Sequence, residues 1–176
     1  MKKEKFNKYL NRDRLRNISL IGFIKNNPIK KIIKVGKSIA VVGKSDQLWT
    51  YIYSDNKNEL KELMKELDQN NKYFASIENW MVPIITSKFE NEWELKTERY
   101  IFTKKSIDFS NDLIIRNLDN SFSEYIYENS AYKKYTSKEY INSRLQNGVS
   151  AGMFKDGKLI GWGLSHDDNS LGFLNV

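Results

Sequence analysis

The residues best suited to proton transfer in this 176-residue chain stand side by side: His166, Asp167 and Asp168. An imidazole titrates near neutrality and a neighbouring carboxylate can fix its tautomer, so His166 backed by an aspartate is a candidate general base. His166 is the only histidine, and there is no cysteine. Thiolate nucleophiles, disulfides, Cys-ligated zinc or iron–sulfur centres and His-rich metal sites are therefore excluded. No serine or further acid is placed by the sequence to complete a nucleophilic triad. Metal binding by His166, Asp167 and Asp168 is the weaker reading, and no metal is expected. The competing reading of His166-Asp167-Asp168-Asn169-Ser170 is a polar turn between two strands.

Two Gly-Lys-Ser tripeptides, Gly36 to Ser38 and Gly43 to Ser45, invite a second chemistry, because a phosphate loop sets a lysine on phosphate and a hydroxyl on magnesium. Such a loop also needs a glycine five residues before the one that precedes the lysine. Lys31 stands there for Gly36 and Ser38 for Gly43. Both tripeptides end an apolar run, where Gly-Lys-Ser is ordinary hairpin chemistry, so nucleotide hydrolysis is set aside.

The elements that must position these residues follow from periodicity. Phe6, Tyr9, Leu10, Leu15, Ile18 and Ile21 recur at helical spacing, and Asn26-Asn27-Pro28 stops that pattern. Ile32 to Val35, Ile39 to Val42 and Leu48 to Tyr53 then predict a three-stranded antiparallel meander. Asn56 with Glu59 resembles a capping box opening a helix through Leu60, Leu63, Met64 and Leu67, with its end near Asn70-Asn71. In the segment Ile77 to Phe89, Pro83 either kinks the chain or opens a turn of helix. Alternation over Glu94 to Thr103 predicts a strand, and the polar stretch Lys104 to Asp112 a linker.

A second unit starts after that linker. Ile114-Ile115 reads as a short strand, Ser121 with Glu124 and Thr136 with Glu139 as two capping boxes, and Gly148 as a C-cap. Val149 to Phe154, Leu159 to Ser165 and Leu171 to Val176 are strand-like, with Lys155-Asp156-Gly157-Lys158 as a hairpin turn. The order is β-α-α-β-β-β. The expected fold class is α/β in the α+β sense, with antiparallel-rich mixed sheets and flanking helices. Two domains are expected, over 1–108 and 109–176.

The block from Phe154 through the Asp156-Gly157-Lys158-Leu159-Ile160-Gly161-Trp162 hairpin to Leu171-Gly172-Phe173-Leu174-Asn175-Val176 is similar to the central hairpin and fourth strand of the GNAT acyl-CoA N-acyltransferases. The likeness is to the branch related to glycine N-acyltransferases and FR47-like proteins in particular. The resemblance implies acetyl-CoA as co-substrate and acyl transfer to a small-molecule or peptide amine by direct attack on the thioester. It further implies that Phe173, Leu174, Asn175 and Val176 lie along the pantetheine as a partner strand would, one of their amides holding the thioester oxygen. Asp167, Asp168 and His166 lie near the end of that strand as candidates to orient or deprotonate the amine. In the family an Arg/Gln-x-x-Gly-x-Gly/Ala loop for the CoA pyrophosphate follows this strand. The sequence stops at Val176, so a catalytic domain truncated before that loop, and inactive as such, is the expectation.

Charge supplies the alternative. Residues 1 to 44 carry thirteen Lys/Arg against Glu4 and Asp13, a balance of +11, which leaves −4 for the remainder of a chain whose net charge is +7. A non-catalytic protein that binds nucleic acid or a protein partner through this basic segment, with Lys30, Lys31 and Lys34 in contact, is the second reading. No apolar stretch approaches the ~18 residues of a membrane helix. A cytoplasmic protein with no membrane partner is expected, with a homodimer as a further expectation.

Overall fold

The computed structural model describes residues 9–100, 113–131 and 133–175. It is an α+β structure with two four-stranded sheets. In the first, helix α1 (Ile18–Asn26) leads into β1 (Ile29–Val35), β2 (Ser38–Lys44) and β3 (Leu48–Tyr53), the expected antiparallel meander. Helix α2 (Lys57–Glu66) then carries the chain back to β4 (Tyr73–Ala75), which pairs parallel to β3. Strand β2 is central, which explains its unbroken apolar run: alternate residues feed two cores. Ala40 and Val42 pack with Leu60, Leu63 and Met64 of α2 and with Ile85 and Phe89. Ile39 and Val41 face the other way, against Leu20 and Phe23 of α1 and Tyr51 of β3.

A short helix α3 (Val82–Thr86) follows, with Pro83 at its first turn, where a missing N–H is harmless. The second sheet, β5 (Ile114–Arg116), β6 (Ser150–Lys155), β7 (Lys158–Ser165) and β8 (Leu171–Asn175), is antiparallel throughout and runs in that order. Helices α4 (Ser123–Asn129) and α5 (Lys138–Asn147) connect β5 to β6. Ile126, Ile141 and Leu145 from these helices pack on Phe154, Leu159, Trp162, Leu164 and Phe173 of the sheet. The β-α-α-β-β-β order is thus as expected. The turn between β6 and β7 has Asp156 at φ 47° and Gly157 at φ 74°, the pair of left-handed residues a two-residue hairpin requires.

Several local expectations are corrected. Asn56 does cap α2, accepting from Asn58 and Glu59 N–H. Glu59 does not complete the box; its carboxylate instead accepts from Lys37 N–H, Ser38 N–H and the Ser38 hydroxyl. The helix ends at Glu66, ahead of Asn70-Asn71. Asp119, not Ser121, is the capping side chain ahead of α4, accepting from Ser121 N–H, and Glu124 pairs with Lys138. Ser137, not Thr136, caps α5, accepting from Tyr140 N–H at 3.1 Å. Gly148 is the C-cap, as expected. Residues 94–100 form no strand although they alternate: they are exposed on both sides and have no neighbour to complete a ladder. The rest of that segment and the linker Lys104 to Asp112 lie outside the described residues, as does the helical pattern before Tyr9.

The two sheets meet where α1 crosses the turn between β7 and β8. Gly22 of α1 lies so close to the backbone carbonyl of Asp168 that a Cβ there would overlap the oxygen. Asn26 and Asn27, at the end of α1, donate from their side-chain amides to the Asp167 carbonyl at 3.1 and 3.2 Å. Asn26 also bonds Asn169 Oδ1 at 2.8 Å.

Two stability outcomes follow. Replacing Gly by Ala inside a helix ordinarily stabilises it by about 0.5–1 kcal/mol. Gly22→Ala should reverse that sign and cost about 1–3 kcal/mol in urea unfolding, because the methyl must displace the Asp168 carbonyl. Leu164→Ala, at a position with no exposed surface, should cost about 2–5 kcal/mol by the same measurement.

Candidate functional site

The loop that carries the candidate base is a tightly bonded turn. His166 N–H donates to the Ser170 carbonyl at 2.7 Å and Asn169 N–H to the His166 carbonyl at 3.0 Å, while Asn169 takes φ 65°. Asp168 holds the turn from within. Its Oδ1 accepts from Ser170 N–H at 2.9 Å and from the Ser170 hydroxyl at 2.6 Å, and its Oδ2 accepts from the Tyr51 hydroxyl of β3 at 3.5 Å. With 6 % of its surface exposed, Asp168 is occupied by these partners and has no open face toward a substrate. Burial, and then the negative charges of Asp168 and Asp167, push the Tyr51 phenol well above its ordinary range.

Asp167 is as deeply buried, at 7 %, but is less completely bonded. Its Oδ1 lies 3.3 Å from the hydroxyl of Tyr140 on α5, and its own N–H donates to the same hydroxyl at 3.4 Å. Its Oδ2 is buried without a protein partner. The Tyr140 hydroxyl also stands 3.4 Å from His166 Nδ1. Burial above all, and then the Asp167 charge, raise the Tyr140 phenol, so it keeps its proton at neutral pH. His166 is half-buried. Its ring lies 5.0 Å from that of Phe173, and its Nε2 edge rests against Gly172, where any side chain would collide with it.

Strand β8 itself is irregular at this point. Gly172 pairs with Leu164 and Asn175 with Trp162, so Phe173 and Leu174 together face the single residue Gly163. This is a β-bulge. It turns two successive residues, Gly172 and Phe173, toward the helices and returns Leu174 to the outer face beside Leu171. Phe173 takes φ 48°, a conformation that costs a bulky residue about 1–3 kcal/mol and gathers at ligand clamps and active sites. Among the described residues β8 is the last strand of its sheet, pairing with β7 alone, so one row of its backbone groups faces outward. Leu171 and Leu174 are exposed along it, at 69 % and 64 %. Val176 lies outside the described residues.

The structure therefore brings His166, Asp167 and Asp168 to the start of the strand that carries Phe173, Leu174 and Asn175. Sequence reading missed Tyr140, Tyr51, Asn26 and Asn27. Tyr140 was legible only as an apolar position on a helix, and Asn26-Asn27 only as a helix stop. Their roles depend on which loop the second sheet presents to α1.

The basic segment serves the chain internally in part. Lys31 Nζ donates to the Glu66 carbonyl at the end of α2, and Lys34 Nζ sits 5.7 Å from the Tyr9 ring. Lys30 is exposed on the same strand. At the first Gly-Lys-Ser, the Lys37 and Ser38 amides that a phosphate would need are held by the Glu59 carboxylate. The hydrogen bond from the Ser38 hydroxyl, with those amides, keeps that carboxyl below its ordinary range.

Among the described residues no helix is long and apolar enough to cross a membrane. No family model matches the sequence, and no curated protein matches it. Among solved structures, the chain is similar to a Drosophila protein determined by X-ray crystallography as a structural-genomics target. The two are 13 % identical with a TM-score of 0.68, over the whole of this chain and 76 % of that one. At this identity the likeness establishes the α+β fold.

Proposed function

We propose that the second sheet is the catalytic half of an acyl-CoA-dependent N-acyltransferase of the GNAT type, acting on a small-molecule or peptide amine. The observation that carries the reading is the bulged, outward-facing strand β8, with Phe173 held at φ 48°. An extended pantetheine arm can add to such an edge as a strand does, its amides pairing with outward backbone groups. The bulge also breaks the regular ladder at the point where, by the family resemblance, the thioester would lie. The β-α-α-β-β-β order and the Asp156-Gly157 hairpin agree with the family resemblance of the sequence.

In this reading the amine nitrogen attacks the thioester carbon. A C–N bond forms, the C–S bond breaks, a base takes the amine proton, and CoA leaves as a thiolate that is then protonated. His166 is the base best placed by exposure, since Asp167 and Asp168 are buried. Phe173, Leu174 and Asn175 line the arm, with Val176 assigned by resemblance alone. The acceptor amine, acetyl-CoA as co-substrate and a cytoplasmic setting belong to this same proposal.

Calorimetric titration with acetyl-CoA tests it. Binding is expected, weakened about tenfold, or about 1.4 kcal/mol, by Leu174→Glu, which replaces an exposed apolar side chain along the arm with a solvated carboxylate without disturbing the core. Absence of any heat with the unsubstituted chain would overturn the reading. Salt-dependent affinity for a nucleic acid, lost on neutralising Lys30, Lys31 and Lys34, would favour a binding protein instead.

A further inference from the structure

We infer that Tyr140 is the positioning residue for His166, fixing the imidazole with its proton on Nδ1 and its lone pair on Nε2, toward β8. The catalytic meaning of this assignment rests on the acyltransferase reading; the assignment itself does not.

The Tyr140 hydroxyl has one hydrogen and two lone pairs. Three polar groups surround it: Asp167 Oδ1 at 3.3 Å, Asp167 N–H at 3.4 Å and His166 Nδ1 at 3.4 Å. An ionised carboxylate can only accept, so the hydroxyl hydrogen goes to Asp167, in the stronger, charge-assisted bond. Asp167 is buried and its Oδ2 has no protein partner, which makes its remaining oxygen depend on that bond all the more. The Asp167 N–H takes one lone pair of the phenol oxygen. The second can only receive a hydrogen, and the group facing it is His166 Nδ1. The hydroxyl thus selects the Nδ1–H tautomer, which leaves Nε2 unprotonated.

The Nε2 edge lies against Gly172, one residue before the bulge at Phe173 and Leu174. A lone pair there is on the strand that the acyltransferase reading gives to the thioester. Nε2 would take the amine proton, and the resulting imidazolium would keep its Nδ1–H on Tyr140, with the Asp167 charge behind it. The ring is held in this orientation by Phe173, 5.0 Å away on one side, and by Gly172 against its Nε2 edge. The other charged groups acting on Tyr140 are Arg144, whose guanidinium lies 5.5 Å from its ring, and the Asp46 carboxylate. Neither can take the place of the Asp167 acceptor in the proton count.

The single histidine makes the test direct. Nitrogen-15 spectra of the unsubstituted chain, recorded where the imidazole is neutral, should show His166 protonated on Nδ1, against the Nε2–H preference of histidine in water. Tyr140→Phe, which keeps the ring and removes the hydroxyl, should return it to Nε2–H. An Nε2–H imidazole in the unsubstituted chain overturns the assignment, and that spectrum decides even if the variant does not fold. An Nδ1–H imidazole that persists in a folded Tyr140→Phe overturns it as well. If the tautomer is as stated but acetyl-CoA does not bind, the positioning role stands and the acyltransferase reading falls.

Discussion

The contact on which the rest of the structure depends is the docking of α1 against the turn between β7 and β8. A bare Cα at Gly22 lets a helix of the first half approach the Asp168 carbonyl of the second. The side-chain amides of Asn26 and Asn27 then close on the carbonyl of Asp167. With its backbone held from that side, the turn presents the Asp167 carboxylate to Tyr140 and the Asp168 carboxylate to Tyr51. Buried carboxylates are costly unless each is bonded, so the two tyrosines and the two halves are mutually required.

The second constraint is the bulge of β8. A phenylalanine at positive φ loses about 1–3 kcal/mol, and burying its side chain returns about 1.5–3 kcal/mol. The two are comparable, which is why the strand can keep the distortion. The bulge sends Gly172 and Phe173 to the same face, and the imidazole of His166 occupies the space that a side chain at 172 would fill. Sheet irregularity and the placement of the His166 imidazole therefore have one cause.

Much of this was legible in the sequence because it is local. The meander of β1 to β3, the β-α-α-β-β-β order and the Asp156-Gly157 turn rest on periodicity and turn chemistry within a few residues. Caps were found to within one to two positions. Ser137 displaced Thr136, and Asp119 displaced Ser121, because neighbouring oxygens compete for the same orphan amides. Glu59 left its box for the β1–β2 turn, where Lys37 and Ser38 offer two amides and a hydroxyl. The alternation over Glu94 to Tyr100 misled, since a strand exists only where another strand accepts it. What sequence could not give is non-local: Tyr140 and Tyr51 lie 26 and 117 residues from their partners in the turn, and neither spacing leaves a pattern.

The central claim is that the outward edge of β8 at the bulge receives an extended acyl-pantetheine arm. Amide hydrogen exchange read residue by residue, with and without S-acetyl-pantetheine, tests it most directly. The account predicts slowed exchange concentrated at residues 173–175, with the edge of β1 unchanged. Unchanged exchange along β8 at saturating ligand, or protection elsewhere in its place, would contradict it.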